Sequence, residues 1–156
     1  HHLKTKDILI IDGIINKIEN SIVQKENTNV VTLENLYVSC GWFDTSVSFG
    51  EPGYEERETI TNGLQVAAKS GFTAIAVNSN TNPIIDTKSS VEYLQNKARG
   101  FATSLYPIPA LTQRSKGVEM AELFDMHQSG AIAFGDYKKP IENAIKRIFS
   151  TRILIV

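Results

Sequence analysis

The chain has 156 residues, 42% of them hydrophobic and 21% charged, the make-up of a soluble globular protein with enough length for one real core. Its net charge of −1 supplies no bulk attraction to nucleic acid or to an anionic membrane surface. The single cysteine excludes an internal disulfide and suits a reducing cytosol, no apolar run approaches the ~20 residues of a membrane span, and no signal-peptide pattern opens the chain, so the expected location is cytoplasmic.

In chain order, His1 and His2 read equally as the end of a purification tag or as native residues. The first 35 residues look all-β. "DILIIDG" (7–13) is an apolar run closed by Asp-Gly, a strong hairpin signal, and "IINKIENSI" (14–22) follows it. "NVVTLEN" (29–35) predicts a third strand. Such short strands predict part of a small β-sandwich rather than a domain that stands alone.

From Leu36 the pattern becomes strand–helix alternation. "LYVSCGWFDTSVS" (36–48) predicts a strand, and 54–71 a helix closed by Gly71. Strand 72–79, helix 87–100, strand 102–111, helix 117–130 and strand 131–136 follow. A helix over 139–150, with Pro140 in its first turn, and a strand over 151–156 complete the pattern. Regular βα units with apolar strands imply a parallel sheet covered by helices. A (β/α)8 barrel typically needs ~250 residues, so residues 36–156 supply about its first half. An open doubly wound sheet is the rival, set lower because no Gly-rich phosphate loop follows the first strand.

"GWFDTSVSFGEPG" (41–53) carries the chemical question. Strand periodicity places Asp44, Ser46 and Ser48 on one face and Phe43, Thr45, Val47 and Phe49 on the other, the polar face looking inward. A neutral serine hydroxyl is a poor zinc ligand beside imidazole, thiolate or carboxylate, so Ser46 and Ser48 read better as inward-facing polar residues than as ligands. Pro52 and Gly53 fix a tight turn and need no catalytic reason. His127, in the last turn of a helix before Gly130, reads as a capping or surface residue rather than a ligand. Cys40 reads as a small buried hydrophobe. Lys138 and Lys139, with Arg114 and Lys116, read as solvated charges flanking helices rather than as an anion site.

Several stretches together resemble dihydroorotase, of the metal-dependent amidohydrolase superfamily. That family's first barrel strand typically reads Gly-Phe-Ile-Asp-x-His-x-His-x-Arg-Glu-Pro-Gly, and residues 41–53 keep its frame. "AAKSGFTAIAVNSNTNPIID" (67–86) is similar to the second unit, with its Asn-Thr-x-Pro motif at Asn80 to Pro83. Residues 105–140 resemble the third and fourth units. Coverage runs from about residue 7 to about 144, after which "IKRIFSTRILIV" keeps only the helix-then-strand rhythm.

The resemblance implies a barrel enzyme that converts dihydroorotate to carbamoyl aspartate through a zinc-activated water. It also implies what is gone. The two metal-binding His positions are Ser46 and Ser48, and the substrate-carboxylate Arg position is Gly50, where no bidentate clamp exists. Asn80 matches a substrate-contacting Asn, against its reading as an Asx-turn residue. Asp136 matches a metal-site carboxylate, against its reading as a loop or helix-cap carboxylate. Asp44 reads as a buried hydrogen-bonding residue.

Two functional expectations follow. One is a noncatalytic homologue (a pseudoenzyme) in pyrimidine biosynthesis, homo-oligomeric, with no cofactor and with aspartate transcarbamoylase as the partner the resemblance suggests. The other is a working zinc-dependent cyclic-amide hydrolase with an unusual site. A bare half-barrel, exposing an apolar edge that needs covering, is the third.

Overall fold

The computed structural model describes residues 4–141. The chain divides into two compact units, His1–Ser39 and Cys40–Val156.

The first unit holds one antiparallel hairpin. β1 (Asp7–Ile11) pairs with β2 (Ile14–Glu19) through Ile11↔Ile14 and Asp7↔Glu19, with a bulge after Leu9. Asp12 and Gly13 both take positive φ, 51° and 77°, the left-handed pair that a two-residue hairpin turn of matching twist requires. The strand expected over 29–35 is absent. That segment has no ladder among the described residues, and Val30, Val31 and Leu33 are exposed, so β-branched composition alone did not make a strand without a partner edge.

The second unit is a mixed α/β layer. β3 (Trp42–Val47), β4 (Phe72–Asn78) and β5 (Ser104–Ile108) form a parallel sheet in the order β3-β4-β5. α1 (Ile60–Lys69) connects the first pair and α2 (Lys88–Lys97) the second, as parallel neighbours require. Ile60 and Leu64 of α1, Ile75 and Val77 of β4, Val91 and Leu94 of α2, Leu105 of β5 and Met126 of α3 (Leu123–Gln128) build the core on one face of the sheet. The opposite face carries Phe43 and Tyr106, whose rings meet edge-on at 6.2 Å between centroids and stay partly exposed.

α1 and α3 are shorter than the periodicity predicts, because their expected first turns are spent on loops, while α2 begins where expected and ends at Lys97 rather than at residue 100. Residues 54–58 close a loop instead of starting α1: Tyr54 N–H donates to Gly50 O, Arg57 N–H to Tyr54 O, and Gly50 and Glu51 N–H both donate to Glu58 O. α1 starts only at Thr59, whose hydroxyl accepts from Asn62 N–H. α2 starts at Thr87 with a capping box completed by Ser90. Residues 117–122 likewise fold back, with Gln113 N–H donating to Glu119 O and Ala121 N–H to Leu111 O, leaving α3 six residues long.

The strand expected over 131–136 is not regular. Ile132 N–H donates to Pro107 O and Gly135 N–H to Pro109 O, so the segment runs beside β5. Pro107 and Pro109 have no N–H to return, and half a ladder is all that this edge supports. Residues 139–141 are not helical, and the rest of the helix expected over 139–150, with the strand over 151–156, lies outside the described residues. No helix among the described residues is long and apolar enough to cross a membrane.

Candidate functional site

The sheet gathers polar side chains at the carboxyl ends of β3 and β4. β4 alternates Ile75 and Val77 into the core with Ala74, Ala76 and Asn78 on the other face. Asn78 Nδ2 donates to Ser46 Oγ at 3.1 Å and to Val47 O at 3.0 Å. Asn80 Nδ2 donates to Ser48 Oγ at 2.6 Å. Two amide–hydroxyl pairs therefore cross-link the strands. Asn80 Oδ1 is buried and has no hydrogen-bond partner among the described residues.

Ser46 and Ser48 thus share a face, as the spacing predicts. Asp44 does not join them. Asp44 pairs with Ile75, whose side chain enters the core, whereas Phe43 pairs with Ala74 and its ring meets Tyr106 on the Asn78 face. The register shifts between Asp44 and Val47, and this irregularity lets residues three apart, Phe43 and Ser46, look the same way. Nor is Asp44 a buried hydrogen-bonding residue: it is exposed, and its Oδ1 accepts from Ser46 N–H at 3.0 Å.

Asp136 is buried and fully engaged. Its Oδ1 accepts from Thr112 N–H at 2.9 Å and its Oδ2 from the Thr112 hydroxyl, which in turn accepts from Gly117 N–H at 2.8 Å. Asp136 ties the segment beside β5 to the loop that follows β5. Asp136→Ala, which strands two donors, is expected to cost about 2 kcal/mol of stability and to leave metal content unchanged. Urea denaturation with elemental analysis of both proteins checks it.

The residues here do not fit zinc. Ser46 and Ser48 offer neutral hydroxyls already bonded to amides, and both oxygens of Asp136 are held by Thr112. Among the described residues no group of three His, Cys, Asp or Glu is placed to hold a metal.

Gly50 has no room for any side chain: a Cβ there would lie 1.7 Å from Tyr54 O. Beside it, Glu51 is buried at 5% exposure and accepts from Ile60 N–H at 2.8 Å, Tyr93 OH at 2.6 Å and Lys97 Nζ at 2.9 Å. Burial alone would raise its carboxyl. The hydrogen bonds from Tyr93, Lys97 and Ile60 outweigh that and hold it below the ordinary carboxylate range. Tyr93 is pushed up by burial and by the Glu51 carboxylate, and Lys97 by its hydrogen bond to Glu51. The loop also meets the Asn80–Pro83 turn, where Asn82 N–H donates to Pro52 O at 2.9 Å.

The remaining candidates lie apart from this cluster. His127 Nδ1 reaches Ala131 O at 3.2 Å, a local contact at the end of α3. Cys40 is exposed, against the expectation of a buried hydrophobe, because the regular strand begins only at Trp42. Arg114, Lys116, Lys138 and Lys139 are exposed, with Lys138 over its neighbour's ring, Tyr137, at 5.1 Å. Sequence reasoning missed Asn78, Glu51 and Thr112. Asn78 was findable, since it is the polar residue that closes β4 two residues before Asn80. Glu51 was hidden inside a motif read only as a turn.

Residues 36–146 match the dihydro-orotase-like family. The chain is 38% identical over 143 residues to a dihydroorotase of Ruminiclostridium cellulolyticum, covering 90% of this chain and 33% of that protein. It is 37% identical over 142 residues to one from Pelotomaculum thermopropionicum, covering 91% and 33%. A dihydroorotase of Thermoanaerobacter sp. is 38% identical over 149 residues, covering 94% and 34%. The chain therefore spans about a third of the length of the curated relatives it matches. A match over most of the chain, on a parallel βα layer with the expected strand order, shows that the chain belongs to the dihydro-orotase-like family.

Proposed function

We propose that this chain is the N-terminal part of a noncatalytic dihydroorotase-like protein of pyrimidine biosynthesis, a cytoplasmic pseudoenzyme with a structural, partner-binding role. On this reading residues 36–156 are the first half of a (β/α)8 barrel and the hairpin unit is part of a small β-sandwich. The observation that carries it is the pairing of Ser46 with Asn78 and Ser48 with Asn80. A strand whose inward positions are two neutral hydroxyls, each already bonded to an amide, has no charged ligand to bring to a metal. Gly50 adds that no guanidinium can stand at the strand's end.

The partner proposed is aspartate transcarbamoylase, with a homo-oligomer of this protein on its side and neither nucleic acid nor membrane involved. Two measurements test the reading. Elemental analysis of the purified protein is expected to find zinc well below stoichiometry, with no turnover of dihydroorotate. Near-stoichiometric zinc together with turnover would establish the active hydrolase instead. Sedimentation of a mixture with aspartate transcarbamoylase is expected to show a joint complex, and separate boundaries would remove the partner role.

A further inference from the structure

We propose that Asp12–Gly13 is a modification site, where the chain closes a succinimide ring and reopens it as isoaspartate, and that the fold withholds the same reaction from Asn62–Gly63. The chemistry needs a side-chain carbonyl carbon, the backbone nitrogen of the next residue, and freedom for the two to meet. Glycine in second place favours it, because no Cβ obstructs the attack or restricts the backbone. The sequence holds two such pairs, Asp12–Gly13 and Asn62–Gly63. In an unfolded chain Asn62 reacts first, since a neutral amide is a better electrophile than a carboxylate. The structure reverses that order.

Asn62–Gly63 is locked in the first turns of α1. Gly63 N–H, the would-be nucleophile, donates to Thr59 O at 3.0 Å. Asn62 N–H donates to Thr59 Oγ1 at 3.2 Å, and its Nδ2 to Glu58 Oε1 at 2.9 Å. Gly63 is buried, and so close to its neighbour that a Cβ there would lie 2.3 Å from the Phe49 ring. Bringing the Asn62 Cγ onto Gly63 N therefore requires this end of α1 to open.

Asp12–Gly13 has none of these restraints. Both residues are exposed at the tip of the hairpin, and the last pair of the ladder is Ile11↔Ile14, so Gly13 N–H lies outside it. Nothing stands within 4 Å of the place a Gly13 Cβ would take. Gly13 N attacks the Asp12 Cγ, the new N–Cγ bond closes the ring, and one carboxyl oxygen leaves as water with the amide proton and a proton from solvent. Water then cleaves the bond between Gly13 N and the Asp12 backbone carbonyl. That carbonyl becomes a free carboxylate, and the chain now runs through Cβ and Cγ, one carbon longer. Only water is consumed and returned. The longer link no longer matches the two-residue turn, so the Ile11↔Ile14 and Ile10↔Ile15 pairs beside it loosen.

The full chain is incubated at physiological temperature and neutral pH, folded and in urea, then cleaved and read by peptide mass. Isoaspartate is counted by methyl transfer from S-adenosylmethionine with an isoaspartyl methyltransferase. The folded chain is expected to accumulate isoaspartate in the hairpin peptide and to keep Asn62 intact. In urea Asn62 is expected to convert at least about a hundredfold faster than in the folded chain, the scale of a local opening. Asp12→Asn gives both positions the same leaving group, ammonia, and is expected to convert at position 12 well before position 62 while folded. Equal folded rates at the two positions of that variant, or reaction at 62 alone, overturns the proposal. So does a folded parent with no isoaspartate at position 12 once the urea sample has converted there.

Discussion

Gly50→Ala is expected to destabilise the second unit by about 3 kcal/mol, visible as a fall in Tm of roughly 6–12 °C for a chain of this size. The added Cβ would stand 1.7 Å from Tyr54 O and 2.7 Å from Tyr54 C, and these are backbone atoms that no rotamer change can move. Four backbone hydrogen bonds hold the loop in that position: Gly50 and Glu51 N–H to Glu58 O, Tyr54 N–H to Gly50 O, and Arg57 N–H to Tyr54 O. Relief requires breaking several of them together. Gly135→Ala is the control. A Cβ there meets nothing within 4 Å, and the change is expected to stay within about 0.5 kcal/mol. Gly50→Arg is expected to behave like Gly50→Ala and to gain no carboxylate binding, because the loop must open before the guanidinium can be placed. An unchanged Tm in Gly50→Ala would show that the 50–58 loop is not closed in solution.

Glu51→Ala is expected to cost about 2–3 kcal/mol, the sum of three hydrogen bonds at about 1 kcal/mol each. The three donors come from different places: the first turn of α1, and two positions of α2. Removing the carboxylate releases the 50–58 loop from both helices at once. The parts are unequal. Lys97 is 44% exposed and its contact is screened by solvent, so Lys97→Ala is expected to lose the least of the three, whereas Ile60 N–H has no solvent to turn to. The pH dependence has a definite sign. A folded carboxyl held below its ordinary value of 4.5 contributes stability above that value, and the contribution is lost as pH falls from there through the folded value. The raised Tyr93 and Lys97 act oppositely: their contribution is present below 10.0 and 10.5 and fades as pH rises past those values. Glu51→Gln is expected to flatten the acid limb of a stability-against-pH curve measured by urea denaturation. An acid limb identical to that of the parent would show that Glu51 is not held as described.

The order of elements from β3 to α3 was legible because apolar segments alternate with amphipathic ones, and within β4 the bulky Ile75 and Val77 alternate with the small Ala74 and Ala76. Boundaries were not, because "YEERE" has helical composition while its backbone is committed to Gly50 and Glu58. Val30 and Val31 look like strand residues, but a strand needs an edge and no local signal provides one. Within the site, spacing alone put Ser46 and Ser48 on one face, whereas Asn80 came from the resemblance and not from any period. Asp44 was misplaced because an irregularity in register, which depends on two strands together, breaks a period read from one. The engagement of Asp136 by Thr112 joins residues 24 apart and leaves no pattern in the sequence.

Pro107 and Pro109 give the outer edge of β5 a direction of chemical traffic. At these residues it offers carbonyls and withholds N–H groups, so only a chain that arrives with donors in the spacing of Ile132 and Gly135 can lie there. A β5 edge from a second molecule would bring carbonyl against carbonyl. When the 131–136 segment lifts away, the uncovered edge therefore cannot copy itself, and edge-to-edge stacking into a growing sheet is blocked at its first step.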